Sequence, residues 1–305
     1  MFEYMQSGCF LCPRECGVDR EKGYIGYCGM TNKLKIARAS LHMWEEPCIS
    51  GQKGSGTIFF SGCSLRCVFC QNRDIAIGNK GINVSIGQLA ELFLVLQDNG
   101  ATNINLVTPT HYILQIVEAI NMAKNQGLKL PIVYNTSGYE KVENIKRLDG
   151  LIDIYLPDFK YKDNTIALKY SNVVDYFSVA DKALQEMCKQ ISSVEFKNDI
   201  MFRGVIVRHM VMPGYTSDSK AIIKHLHDKY GDSIFISIMN QYTPMEKMDK
   251  YPEINRKITK REYEKVIDYA IDLGIKNAFV QEGNTASESF IPDFDSCEFL
   301  NKVIC

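Results

Sequence analysis

The stretch GSGTIFFSGCSLRCVFCQN, residues 54–72, decides the fold. Its apolar run TIFF (57–60) predicts a buried strand, and three cysteines follow that strand at once. Cys63, Cys67 and Cys70 are separated by spacers of three and two residues. Soft thiolates bind zinc and iron–sulfur clusters, and three of them leave one iron of a four-iron cluster open to another ligand. Chemistry in α/β proteins sits at the carboxyl ends of the strands, so this loop is predicted to carry the active site.

Apolar strands alternate with amphipathic helices from this stretch to residue 280. The predicted strands are TIFF (57–60), NINLV (103–107), PIVYN (131–135), LIDIYL (151–156), RGVIVRHMVM (203–212), IFISIM (234–239) and NAFV (277–280). The predicted helices lie at 86–98, 111–125, 163–190, 217–229 and between Thr259 and Gly274, with capping boxes at Ser85–Gln88 and Thr259–Glu262. About six such strand–helix units indicate a parallel sheet covered by helices. The pattern favours an α/β fold, a partial TIM-type (β/α)6 barrel, with a doubly wound open sheet as the alternative.

The composition is that of an ordinary globular protein, with 46% hydrophobic and 23% charged residues. The 35 Lys and Arg residues against 36 Asp and Glu residues leave a net charge of −1, which argues against general binding to nucleic acid or to a membrane surface. The first residues contain no apolar segment of the signal-peptide type, and no run reaches the ~18 apolar residues of a membrane span. We therefore expect a cytoplasmic protein. In that reducing compartment disulfides are disfavoured, and clustered thiols indicate metal binding or catalysis.

Eleven cysteines are the outlier of the composition, and eight of them fall in the first 70 residues. Cys9, Cys12, Cys16 and Cys28 form a four-thiolate set in a glycine-rich stretch without helical periodicity. Such a set closes a structural zinc site or holds an auxiliary iron–sulfur cluster, and both alternatives stay open. Residues 1–50 are predicted to form a small cysteine-rich, metal-binding N-terminal lobe, ahead of a barrel domain with a C-terminal extension at 51–305. The cysteines without ligand-like spacing are Cys48, Cys188, Cys297 and Cys305.

Segments along nearly the whole chain resemble those of one known superfamily. They are CFLCPRECGVDR (9–20), the stretch at 54–72, NLVTPTHY (105–112), YNTSGY (134–139), YLPDFKY (155–161), IMNQYTP (238–244) and FVQEG (279–283). The chain resembles the radical S-adenosylmethionine (radical SAM) superfamily, and within it a subfamily related to pyruvate formate-lyase-activating enzyme. The aromatic residue Phe69 before the last cysteine belongs to the same signature.

This resemblance implies a cofactor and a reaction. Cys63, Cys67 and Cys70 are expected to bind three irons of a [4Fe–4S] cluster, and S-adenosylmethionine (SAM) to chelate the fourth. One-electron reduction then splits SAM into methionine and a 5′-deoxyadenosyl radical, which abstracts a hydrogen atom from the substrate. Phe69 is expected to pack near the adenine. The cofactor performs the difficult step, while the protein supplies position and excludes competing reactions.

Polar residues at later strand ends match those that hold SAM in the activating enzymes. By this resemblance the cofactor-binding residues are Asn135, Thr136, Asp158, Lys160 and Arg208. The types suit the task, because the methionyl carboxylate needs a cation and the ribose needs hydroxyl or amide partners. The activating enzymes also carry a monovalent cation site, where Asn135 here replaces the usual aspartate.

A second departure follows the predicted strand 103–107. The superfamily often has Gly-Gly-Glu there to contact the methionyl amine, whereas this chain has Thr108-Pro109-Thr110-His111. The Thr108 hydroxyl or backbone carbonyls are expected to replace that contact.

The leading hypothesis is a radical SAM enzyme, with activation of a glycyl-radical enzyme as the nearest familiar activity. The alternatives are radical SAM modification of a small molecule, peptide or RNA, and a non-catalytic electron-transfer iron–sulfur or zinc-held interaction protein. The near-neutral charge disfavours RNA. Expected partners are a flavodoxin- or ferredoxin-type electron donor and a glycyl-radical enzyme or other protein or peptide substrate, with no membrane association.

Overall fold

The structure is a computed structural model that describes residues 8–244, 248–281 and 299–304. Its strands are β1 (Lys35–His42), β2 (Ser55–Phe60), β3 (Ile82–Asn83), β4 (Ile104–Val107), β5 (Ile132–Thr136), β6 (Ile154–Pro157), β7 (Glu195–Lys197), β8 (Ile200–Met210), β9 (Phe235–Met239) and β10 (Ala278–Val280). Its helices are α1 (Pro47–Ser50), α2 (Arg73–Ala76), α3 (Ile86–Asp98), α4 (Ile113–Asn125), α5 (Val142–Lys146), α6 (Asn164–Ser171), α7 (Tyr176–Gln190), α8 (Thr216–Tyr230), α9 (Lys260–Asp272) and α10 (Asn301–Ile304). Short 3-10 turns lie at Thr110–Tyr112, Gly231–Ser233 and Pro252–Ile254. Cys297 and Cys305 lie outside the described residues.

The strands form one mostly parallel sheet in the order β10-β9-β8-β6-β5-β4-β2-β1-β3, with β7 paired to β8. The strands from β2 to β10 along this order pair in parallel, whereas β1, β3 and β7 pair antiparallel. Within the described residues the edge strands β10 and β3 do not pair with each other, so the sheet stays open. These findings confirm the α/β fold and a partial rather than a closed barrel. The carboxyl ends of the parallel strands meet at one edge, which gathers the residues after β2, β4, β5 and β6.

The predicted helices form, except that the segment predicted at 163–190 is two helices, α6 and α7, because Asn172 adopts a left-handed conformation with φ of 51° and ends α6. Ser85 accepts a hydrogen bond from the Gln88 backbone N–H, and the Gln88 side chain accepts one from the Ser85 backbone N–H. Helix α3 then buries Leu89, Phe93 and Leu96 against α4 and the sheet. Each such side chain stabilises the fold by about 1.5–3 kcal/mol relative to an exposed one. Amphipathic patterning and capping therefore fix the outer layer of the fold.

Strand β1 is the main element that the sequence did not predict. It lies within residues 1–50, which were predicted to form the cysteine-rich N-terminal lobe. Its residues Ile36, Ala37 and Ala39 are buried, and it pairs with β2 over six residue pairs. Its sequence, KIARASLH, mixes charged and small residues, so periodicity did not reveal it. The domain boundary after residue 50 stays a prediction. Among the described residues, no helix is both long and apolar enough to cross a membrane.

Candidate cluster and cofactor site

The three-cysteine loop lies directly after β2, and its cysteines are partly buried. The Ser171 hydroxyl donates a hydrogen bond to the Cys67 Sγ at 3.0 Å. The Leu65 backbone N–H donates to the Cys63 Sγ at 3.4 Å. The sulfurs of the loop are therefore held by donors from the loop itself and from the end of α6.

Burial raises the pKa of all three thiols, to about 12 for Cys70, where the charges of Cys63 and Cys67 add to the effect. The nearby Lys160 ammonium opposes this rise at each thiol. In the part of the chain that the structure describes, no three His, Cys, Asp or Glu side chains converge as a formed metal site. Protonated thiols need not converge, and a metal displaces their protons when it binds. Three soft sulfur donors beside a cation fit an iron–sulfur cluster.

Four of the predicted cofactor-binding residues meet in one buried ion-pair network. Asp158 pairs with Lys160 Nζ at 2.7 Å and with Arg208 Nε at 3.0 Å. A second nitrogen of Arg208 donates to the Asn135 Oδ1 at 2.7 Å. Burial alone would raise the pKa of Asp158, but Lys160 and Arg208 outweigh burial and hold that pKa below its ordinary value. Asp158 is therefore ionised, and both cations have a fixed counter-charge.

The fifth member of this network, Glu45, was not predicted. Its carboxylate pairs with Arg208 Nη1 at 3.1 Å and accepts a hydrogen bond from the Asn135 amide at 3.4 Å. It precedes α1, which begins with Pro47, and its neighbour Glu46 is also buried. No periodicity marks this stretch. The signal available was two acidic residues ahead of a proline that opens a helix, a favourable place for carboxylates.

Thr136 faces away from Asn135, because neighbouring residues of a strand point to opposite sides of the sheet. Its hydroxyl donates to the buried Glu140, which also accepts hydrogen bonds from Thr110 at 2.5 Å and from Tyr134 at 3.5 Å. Burial raises the pKa of Glu140 to about 7 against the opposition of these three donors. Contact of Thr136 with SAM stays a prediction.

Thr108 and Phe69 occupy distinctive surroundings. Thr108 has a positive φ of 58°, a conformation that is uncommon outside glycine and that clusters at functional sites. Its N–H donates to the Asn135 carbonyl at 2.9 Å. The segment that replaces Gly-Gly-Glu in this chain is therefore bonded directly to a residue of the ion-pair network. The ring of Phe69 packs against Tyr161, Tyr170 and Tyr242, with centroids 5.8–6.5 Å apart. Their contacts with SAM stay predictions.

The four N-terminal cysteines lie in one small lobe. Both Cys16 and Cys28 place their Sγ atoms beside Gly26, within 3.4 and 3.5 Å of where a Cβ would lie. The charges of Cys9 and Cys12 interact with that of Cys28, and burial raises the pKa of Cys12 to about 12. Four thiols gathered in this way fit a zinc site or a second cluster by their donor chemistry. Which metal they bind stays open.

The N-terminal lobe contacts the three-cysteine loop directly. The Cys63 N–H donates to the Cys28 carbonyl at 3.2 Å. Gly62 permits this approach: its φ is +90°, and a Cβ there would lie 2.8 Å from the same carbonyl and 3.0 Å from His111 Nε2.

Arg14 reinforces the contact between the lobe and the loop. Its guanidinium donates to the carbonyls of Ser64 and Leu65 on the loop and of Ser171 and Asn172 at the end of α6. These carbonyls at the end of α6 lack partners within that helix, and they favour a cation.

The sequence profile of the radical SAM superfamily matches residues 57–226, more than half of the chain. The chain belongs to the radical SAM superfamily. Superfamily membership was expected from the cysteine signature and is confirmed. The matched segment begins in β2, includes the three-cysteine loop and ends in α8.

Relatives and solved structures agree with this membership. An uncharacterized protein of Methanocaldococcus jannaschii is 31% identical over 274 residues, which are 86% of this chain and 74% of that protein. SuiB of Streptococcus suis bound to S-adenosylmethionine superposes with a TM-score of 0.50 and 15% identity over 73% of this chain. SuiB bound to the precursor peptide SuiA gives the same TM-score at 14% identity, covering 79% of this chain and 52% of SuiB. The chain spans about half the length of SuiB, 49% in the first superposition. At these identities the likeness shows the fold alone.

As a radical SAM enzyme, this protein uses a [4Fe–4S] cluster and S-adenosylmethionine. Both cofactors were expected from the sequence. The part-buried thiols of the loop suit the cluster. The polar network at the ends of β5, β6 and β8 lies next to the loop, because its member Lys160 is close enough for its charge to act on Cys67.

The position of the three-cysteine loop is expected to depend on Arg14. We expect Arg14→Ala to lower the free energy of unfolding by about 2 kcal/mol or more, because several charged hydrogen bonds, three of them part-buried, are lost together. Amide hydrogen exchange in residues 63–70 is expected to accelerate. Arg66→Ala is the matched control, since Arg66 lies on the same loop but donates to one exposed carbonyl, that of Tyr27. Equal exchange in both variants would contradict this role.

Glu140 is expected to make stability depend on pH. Its pKa in the folded protein is about 7 against an ordinary value of 4.5. The unfolded chain therefore ionises first as pH rises, and the fold loses about 3 kcal/mol between roughly pH 4.5 and 7, with no further loss above. Glu140→Gln removes the titrating group and keeps an acceptor for Thr110 and Thr136. Chemical denaturation at several pH values is expected to show a flatter profile for the variant than for the wild type; parallel profiles would refute the assignment.

Proposed function

We propose that this radical SAM enzyme holds its catalytic [4Fe–4S] cluster on Cys63, Cys67 and Cys70 and abstracts hydrogen from a peptide or protein segment. The observation that carries the first part is the loop of three part-buried thiols within reach of the Lys160 charge. When bound, the cluster supplies the electron that splits SAM into methionine and a 5′-deoxyadenosyl radical. The protein's own residues position SAM and the substrate.

Lys160 is the better cation for the methionyl carboxylate of SAM. It has three N–H donors, and the described structure uses one of them for Asp158. Arg208 already donates to Asp158, Glu45 and Asn135. We assign to Arg208 the task of holding this network in place, and to Asp158 and Asn135 that of offering oxygen and amide groups to the ribose or the methionyl amine.

A peptide or protein substrate is supported by the open side of the sheet. A cavity of about 1520 Å³ opens there, whereas small-molecule sites measure about 300–1,000 Å³. Activation of a glycyl-radical enzyme is one reaction of this class, because it needs an extended segment to enter the barrel. SuiB, which shares the fold, has been solved with a precursor peptide.

The four N-terminal cysteines are proposed to bind a second metal, either zinc or an auxiliary cluster. Their lobe touches the catalytic loop through Cys28 and Arg14. A bound metal would fix the backbone on both sides of Arg14, since Cys12 and Cys16 flank it.

The test is anaerobic reconstitution with iron and sulfide, followed by incubation with SAM and a strong reductant. We expect release of 5′-deoxyadenosine and methionine that depends on the reductant. Deuterium transfer from labelled peptides into 5′-deoxyadenosine then identifies the hydrogen donor. A stable cluster that never cleaves SAM under reduction would instead favour electron transfer and overturn the proposal.

A further inference from the structure

The cavity on the open side of the sheet has an apolar rim. It lies between segment 43–53, which follows β1, and strands β8, β9 and β10. Five of the large apolar side chains around it are 40–59% exposed: Met43, Trp44, Phe196, Phe202 and Val280. Exposed apolar surface gathered around a concave site marks a place where a ligand binds.

The lining of the cavity includes carboxyl groups as well as a cation. Glu45, Glu46 and Arg208 line it together with Ser237. Glu46 is only 8% exposed, and among the described residues its Oε2 has no hydrogen-bond partner. A buried polar atom without a partner costs about 1–3 kcal/mol, so a ligand that supplies a donor there gains the corresponding interaction.

The carboxyl groups near Glu46 outnumber the cations by one. Burial raises the pKa of Glu45 and Glu46, and a cation bound beside them favours the ionised form. Glu45, Glu46 and Asp158 are opposed by Arg208 and Lys160, and the ion pairs within hydrogen-bonding distance join these two cations to Asp158 and Glu45. Glu46 is the carboxylate outside those pairs. The charged rim residues are solvent-exposed, where salt screens them: Lys53, Lys197 and Asp199.

The cavity lies next to the three-cysteine loop. Gln241 lines the cavity, and its carbonyl accepts a hydrogen bond at 2.6 Å from the side chain of Gln71, the residue after Cys70. Arg208 gives a second connection, since it reaches Asp158 and through it Lys160. A molecule in the cavity therefore lies next to the loop that is proposed to bind the cluster.

We propose that the cavity recognises a cationic group of the substrate, an ammonium or guanidinium, which pairs with Glu46 and lies against the apolar rim. An aromatic side chain such as Trp44 favours a cation over its ring face, and a desolvated carboxylate binds a cation more strongly than water-exposed charges do. That this ligand is the substrate rests on the function proposed above. The binding itself does not.

Trp44 offers a direct assay, because it is the single tryptophan of the chain and lines the cavity. Its fluorescence is measured while the anaerobically purified full chain is titrated with a lysine-containing peptide, with the same peptide acetylated at the lysine, and with free agmatine. We expect the charged peptide to bind about tenfold or more tightly than the acetylated one. Equal affinity of the charged and acetylated peptides would overturn the inference.

The agmatine titration separates two sources of the same chemistry. Saturable binding of agmatine with an affinity like that of the peptide supports a small cationic substrate. If the lysine peptide binds and agmatine does not, the result supports a cationic side chain on a longer segment. Binding of neither cation overturns the inference.

Glu46→Gln is expected to weaken binding of the charged peptide about tenfold and to leave the acetylated peptide unaffected. Glu91→Gln is the matched control, since it removes the same charge from an exposed position on α3. If Glu46→Gln does not fold, the comparison of the two peptides on the wild type still decides. A protein that prefers the charged peptide yet never cleaves SAM would defeat the proposed function alone. SAM cleavage without that preference would defeat this inference alone.

Discussion

Replacement of Cys63, Cys67 and Cys70 together by alanine is expected to abolish SAM cleavage and to remove the iron of one [4Fe–4S] cluster. In the matched superfamily segment the loop supplies three of the four thiols, and Cys188 is the fourth. Without the cluster, reduction of SAM has no electron source in the site. Release of 5′-deoxyadenosine is expected to fall to background, and iron analysis measures the lost metal.

Cys188→Ala is the control for this experiment, because Cys188 is a part-buried thiol with a raised pKa that lies far along the chain, on α7. It is expected to keep full cleavage. Metal remaining in the triple variant also identifies the occupant of the N-terminal lobe, as zinc indicates a structural site and iron an auxiliary cluster. Normal SAM cleavage by the triple variant would exclude the loop as the cluster site.

Arg208→Ala is expected to produce the largest loss of stability among single substitutions in the network. It leaves Glu45 without a cationic partner and Asp158 with Lys160 alone, and breaking a buried pair costs about 3–5 kcal/mol. Arg208→Lys keeps the charge but not the geometry, so an intermediate loss is expected. Chemical denaturation measures the free energy of unfolding for each variant.

Lys224→Ala is the comparison for Arg208→Ala. Lys224 pairs with Asp228 at 2.8 Å on the exposed face of α8, and such pairs contribute only about 0.3–0.5 kcal/mol. If both alanine variants lost similarly little stability, Arg208 would not be the centre of a buried network. The stability of this side of the barrel is then expected to come from packing instead.

The fold was largely predictable because its signals are local. A capping box such as Ser85–Gln88 lies within four residues, and the helix that follows it depends on a repeating apolar face. The cysteine signature is also local, since one loop of eight residues carries it. Strand β1 was not predicted because its small and charged residues show no apolar periodicity, and they become buried only after the strand pairs with β2.

The candidate site was predicted only in part because its contacts are distant in sequence. Glu45 and Arg208 are 163 positions apart, and no pattern in either segment predicts that they form an ion pair. The contact of Thr136 with SAM stays a prediction. The alternation of a strand would have indicated that Thr136 and Asn135 face opposite sides, but the resemblance assigned both to one cofactor.

The hydrogen bonds of Arg14 also set an order of events during synthesis. Its acceptors lie 50 to 158 positions further along the chain, at Ser64, Leu65, Ser171 and Asn172. Contacts between such distant positions form late in folding, because a long loop must close first. Although the N-terminal cysteines leave the ribosome first, their lobe is able to dock only after α6 has been made. Until then the lobe lacks these contacts, and the metal that we propose for its thiols would have to reach a chain that is still being completed or has just been released.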